Sequence, residues 1–138
     1  MQEIVDNINH ILSTSPTDGK SIIIYDIDNT LIYEDGNPNA PIIATYQYAK
    51  NLGFIPVIIT ARYGTEENIK RTLEQLKEHG ITDYRFIFFL HPERNDPARY
   101  KLLARKQLYD RGYKAVMSIG DMPWDYGPYG GIGIKLPS

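Results

Sequence analysis

The sequence predicts a three-layer α/β/α sandwich on a parallel, Rossmann-like sheet, and three observations lead there. Apolar runs such as Ile22-Ile-Ile-Tyr25 and Val57-Ile-Ile59 leave no polar face for solvent, as buried parallel strands do. Segments with helical periodicity alternate with these runs, which implies right-handed crossovers with helices on both faces of the sheet. Each run ends abruptly in polar residues, the pattern expected where strands of an open α/β sheet reach their ligand-bearing carboxyl edge.

The elements follow in order. Val5, Ile8, Ile11 and Leu12 share one face of an N-terminal helix. Ser21–Tyr25 is a strand ending at Asp26 and Asp28, followed by the polar loop Glu34–Asn39. Pro41 suits the first turn of a helix running to about Leu52, with Gly53 placed to end it. Phe54–Thr60 is a second strand with Pro56 near its start, where a missing N–H does least harm. Thr65 is the cap of a third helix, with Glu66 and Glu67 favourable in its first turn. Ile69, Leu73 and Leu76 form its apolar stripe, and Gly80 ends it. Tyr84–Leu90 is a third strand, and Asp96-Pro97 a helix start whose helix stops at Gly112. Lys114–Gly120 and Gly131–Leu136 complete the strands.

At 138 residues with no linker-like stretch, the chain is expected to form one domain over residues 1–138. A hydrophobic share of 42% against 23% charged residues is enough for a packed core. The net charge of −2 argues against a generally basic nucleic-acid binder. Without cysteine, the chain has no disulfides, thiolate catalysis or thiolate metal sites. No stretch approaches the ~20 apolar residues of a membrane span. The N-terminus lacks the basic start and apolar centre of a secretory signal, so cytoplasmic residence is the expectation.

Four polar clusters follow successive strands: Asp26, Asp28 and Thr30; Thr60-Ala61-Arg62; His91–Asn95 leading to Lys101; and Gly120-Asp121 with Asp125. A parallel sheet brings all four to one edge. Adjacent carboxylates repel unless a cation, a proton or the ligands of a phosphate stabilise them. The set suits phosphoryl transfer. One carboxylate can attack phosphorus, a second can move the proton, and Mg²⁺ takes carboxylates together with phosphate oxygens. A hydroxyl, backbone amides and an ammonium would neutralise the transferring group. Trp124, Tyr126 and Tyr129 are candidates for an aromatic rim, although packing of their glycine-rich loop is the simpler role. His10, His79 and His91 have no metal-ligand spacing and read as surface or helix-end residues.

Asp26-Ile-Asp-Asn-Thr-Leu, Ile58-Ile-Thr60-Ala-Arg, Tyr100-Lys101 and Gly120-Asp121-xxx-Asp125 resemble, in order, the four motifs of the haloacid dehalogenase (HAD) superfamily. Within it, Tyr100–Leu108, Asp110-Arg-Gly-Tyr and Lys135-Leu-Pro are similar to the class B-like acid phosphatases of subfamily IIIB and to plant storage-protein relatives. The resemblance implies a HAD-like phosphatase with Asp26 as nucleophile, forming an aspartyl-phosphate, and Asp28 as general acid/base. It implies phosphate binding by Thr60, Ala61 and Lys101, with Arg105 and Lys106 as competitors for the lysine role. It implies Mg²⁺ at Asp26, Asp28 (through its backbone carbonyl), Asp121 and Asp125. Arg62 and Trp124 are candidate substrate contacts. Asp28 favours phosphatase over dehalogenase, which usually lacks that second aspartate.

The gaps after Thr30 and after Leu90 are too short for an inserted cap domain, so an open site is expected. It would serve a phosphomonoester, whether a nucleotide, another small ester or a nucleic-acid 3′ end. Arg62, Arg94, Arg99, Lys101 and Arg105 would help hold such an end, as in a polynucleotide 3′-phosphatase. A protein that keeps the fold only for binding is the remaining alternative. Retention of all six polar motif residues weighs against it.

Overall fold

The computed structural model describes residues 1–138. In chain order the elements are α1 (Gln2–Thr14), β1 (Ser21–Tyr25), α2 (Ala40–Asn51), β2 (Ile55–Tyr63) and α3 (Glu66–Glu78). They continue with β3 (Phe86–Leu90), α4 (Pro97–Asp110), β4 (Lys114–Gly120), a short 3₁₀ turn (Pro123–Asp125) and β5 (Ile132–Lys135). All five strands pair in parallel in the order β3-β2-β1-β4-β5. This is the α/β architecture expected of a HAD-like fold, and no cap domain is inserted after β1 or β3.

Alternate residues of each strand face opposite layers, and the two cores follow that period. Ile23, Tyr25, Ile58, Met117 and Ile119 pack with Ile8 and Leu12 of α1, Ile42 and Tyr46 of α2 and Leu76 of α3. Ile22, Ile24, Val57 and Ile59 pack on the other face with Ala104 and Leu108 of α4. The sheet therefore grows from β1 through β2 to β3 with helices on one face. It then returns across α4 on the opposite face to place β4 on the other side of β1. The reversal puts a topological switch point between the carboxyl ends of β1 and β4, where open α/β sheets hold ligands.

Three local expectations are corrected. The second strand does not stop at Thr60; β2 runs to Tyr63, but its pairing with β3 is interrupted between Ile59 and Tyr63. Thr60-Ala61-Arg62 thus lies in a strand continuation whose backbone departs from the regular ladder. The third strand starts at Phe86 rather than Tyr84. In α3 the buried residues are Thr72 and Leu76, whereas Leu73 is 37% exposed. The helix is rotated toward a polar partner for Thr72, described below, which an apolar stripe does not register. The caps agree with expectation: Thr65 accepts from Asn68 N at 3.2 Å and Asp96 accepts from Arg99 N at 3.2 Å.

Candidate active site

The site begins where β1 ends. Asp26 N donates to Ile119 O at 3.1 Å, continuing the β1–β4 ladder by one residue and fixing Asp26 beside the end of β4. The chain then turns sharply. Ile27 O accepts the amides of Thr30, Leu31 and Ile32, and Asn29 adopts φ 59°. Asparagine is among the few residues that tolerate this left-handed conformation. The turn separates the two aspartates: Asp26 is buried, while the side chain of Asp28 is 47% exposed. Asn39 Nδ2 ties the loop back to Thr30 O at 2.9 Å.

Asp26, Asp121 and Asp125 form a buried group in which one carboxylate oxygen from each lies within 4.8 Å of the other two. Lys101, 2% exposed on α4, donates to Asp26 Oδ1 at 2.9 Å and also to Asp125 Oδ1. Asp125 Oδ2 in turn accepts from Met122 N at 2.9 Å. Gly120 makes this fold-back feasible, because a Cβ there would fall inside the Asp125 side chain. One ammonium does not neutralise three carboxylates. Each like-charged pair at that spacing repels by roughly 3–4 kcal/mol at an effective dielectric of ~20. Burial accordingly pushes Asp26 up to about 7; the Lys101 charge opposes the rise and Asp125 adds to it. Burial also raises Asp121, with Asp125 contributing. A hard divalent cation fits this all-oxygen donor set and its excess negative charge.

The carboxylate of Asp28, a residue expected to offer a metal only its backbone carbonyl, stands outside that group. Both its oxygens accept from Arg62, Nε at 3.0 Å and Nη2 at 2.8 Å. Thr60 is fully buried, and its Oγ1 accepts from Arg62 N at 3.2 Å, leaving the hydroxyl proton for another acceptor. Ala61 sits beside it in the interrupted β2–β3 ladder. Trp124 lies in the 3₁₀ turn, and its carbonyl accepts from Arg105.

Of the cations on α4, only Lys101 reaches the carboxylates by hydrogen bonding. Lys106 pairs with Asp110 at the surface. Arg105, 3% exposed, donates Nη1 to Trp124 O and Nε to Pro128 O, both at 2.9 Å, and so pins the loop that carries Asp125. Arg105, expected as a competitor for the lysine role, instead braces this loop, and Thr72 and Gln75 are the supporting residues that motif spacing missed. Their partner is an arginine in the neighbouring strand β2, and no periodic pattern within α3 signals it. No histidine belongs to the carboxylate group: His79 is the C-cap of α3 and contacts Gly36 O, and His91 accepts from Glu93 N.

No helix is long and apolar enough to cross a membrane. No curated protein matches the chain. The family described as HAD superfamily, subfamily IIIB (acid phosphatase) matches residues 33–128, which include Thr60, Lys101, Asp121 and Asp125 and begin just past Asp26 and Asp28. With that match spanning most of a parallel α/β fold, the chain belongs to the acid phosphatases of HAD subfamily IIIB and is a phosphoric monoester hydrolase.

Proposed function

We propose that this phosphatase is Mg²⁺-dependent and works through an aspartyl-phosphate on Asp26. The observation that carries the reading is the cluster at the β1–β4 switch point, where Asp26 meets Lys101, Asp121 and Asp125. Asp26, Asp121, Asp125 and the carbonyl of Asp28 would hold the ion. Mg²⁺ bound there supplies positive charge to the phosphoryl oxygens and offsets the carboxylates.

Asp26 is suited to nucleophilic attack because Lys101 holds one carboxylate oxygen and fixes the orientation of the group. Attack forms a bond from Asp26 oxygen to phosphorus and breaks the bond to the ester oxygen. Asp28, carrying a proton on an oxygen lone pair that the Arg62 fork leaves free, gives it to that departing oxygen. In the second step Asp28 takes a proton from water, which attacks phosphorus, releases inorganic phosphate and restores Asp26. The Thr60 hydroxyl, the Ala61 amide and the Lys101 ammonium stabilise charge on the transferring group, the main task in phosphoryl transfer. The open site suits small phosphomonoesters.

Steady-state hydrolysis of p-nitrophenyl phosphate, with Mg²⁺ and with EDTA, tests the reading on wild type and Asp26→Asn. Turnover that needs Mg²⁺ and falls at least ~10³-fold in the variant is the expected outcome. An Asp26→Asn enzyme as fast as wild type would sink the covalent mechanism, and full activity in EDTA would sink the metal.

A further inference from the structure

Arg62 has partners on both sides. Toward β1, Nε and Nη2 donate to the two oxygens of Asp28 at 3.0 and 2.8 Å, a planar fork on a carboxylate. Toward α3, Nη1 donates to Thr72 Oγ1 at 3.2 Å and to Gln75 Oε1 at 2.8 Å. Thr72 and Gln75 are three residues apart, hence on one face of α3, and Thr72 is 1% exposed. The guanidinium cannot swing away from Asp28 without breaking the bonds to the helix. Asp28 needs such a restraint, since its half-exposed side chain is not fixed by packing. Beside it lies a hollow of about 380 Å³ lined by Asp28, Arg62, Tyr63, Asn68 and Thr72, among others.

We propose that Arg62 is a positioning residue for Asp28, held in register by Thr72 and Gln75, so that α3 sets the aim of the proton donor at the leaving oxygen. The inference rests on the reading of Asp28 as general acid/base. It goes further by assigning to α3 a role in which leaving groups the enzyme can expel. A poorly activated alkoxide departs only with a proton, whereas a nitrophenolate departs without one. Loosening Asp28 therefore penalises alkyl phosphates selectively. The hollow beside Asp28 is where the leaving group's alcohol portion would sit.

The test compares glycerol phosphate with p-nitrophenyl phosphate on the full chain. Variants are Gln75→Ala, Thr72→Val and their combination, with Asp28→Asn as reference. The double variant should lose about tenfold more kcat on glycerol phosphate than on p-nitrophenyl phosphate, with KM shifted less than ~2-fold. Thr72→Ser and Gln75→Glu, which keep the accepting oxygens, should restore the wild-type ratio. Arg62→Lys, whose single ammonium cannot fork, should behave like the double variant. Equal losses on both substrates would overturn the inference and leave a merely structural role. Gln75→Ala alone, at a half-buried position, gives the same reading if the double variant unfolds. Selective loss in Asp28→Asn but not in the α3 variants overturns the positioning role alone. No selectivity even in Asp28→Asn overturns the general-acid reading and the inference with it.

Discussion

Asp26 shows how one residue can be placed against its own stability. Its folded pKa of about 7 lies above the ordinary carboxylate value because burial outweighs the Lys101 charge. The folded state then holds a proton between about pH 4 and 7 that the unfolded chain has released, so stability falls as pH rises through that window and levels above it. Asn at this position cannot ionise. In EDTA, Asp26→Asn should gain on wild type from pH 5 to pH 8, by on the order of 2–3 kcal/mol. Urea midpoints at the two pH values measure this, and an identical gap at both would refute it. Added Mg²⁺ should close much of the gap by binding the native wild-type protein. Gly120 is equally exacting. Gly120→Ala places a methyl where Asp125 folds back, so activity should drop ~10²-fold or more, with overpacking costing ~1–3 kcal/mol. Activity near wild type would show that Asp125 can move without consequence.

At the level of elements, α4 serves three ends at once. Ala104 and Leu108 cover one face of the sheet, Lys101 enters the carboxylate group, and Arg105 holds two carbonyls of the loop between β4 and β5. Arg105→Met would leave Trp124 O and Pro128 O without their donor, at ~1–3 kcal/mol for each group that stays buried. The loop 121–131 should then open locally, and limited proteolysis should cut it faster in the variant. Cleavage no faster than in wild type would mean that the glycine-rich loop holds itself. The same helix shows what spacing conveys. Lys101 lies one turn past the Asp96-Pro97 start and so near the sheet edge, while Arg105 and Lys106 lie a further turn away.

Across the whole molecule, chemistry converges because the chain reverses direction in the sheet. β1, β2 and β3 are laid down one way, and β4 and β5 the other. The carboxyl ends of β1 and β4 become neighbours, with Tyr25 opposite Ile119, so Asp26 stands next to the Gly120-Asp121 turn. The supporting contacts, Lys101 to Asp26 and Arg62 to Asp28, span 75 and 34 residues. Each becomes local only once the sheet has formed.

Much of this was legible in the chain itself. Largely apolar runs leading to Asp26, Thr60 and Gly120 marked three strands and their functional edge, because a strand covered on both faces is built mostly of apolar residues. The one buried polar side chain inside β4, Ser118, is tolerated by its bond to Gly130 O. Thr65, Asp96 and Pro97 marked helix starts, because capping is a contact between near neighbours. Tertiary structure alone decided that Asp28 turns to Arg62 rather than to the three-carboxylate group, that Thr72 and not Leu73 faces inward, and that Arg105 braces a loop. Those outcomes depend on hydrogen-bond partners contributed by other elements of the fold. Periodicity and spacing record a residue's own element, but a buried polar side chain is oriented by whichever distant group completes its hydrogen bonds.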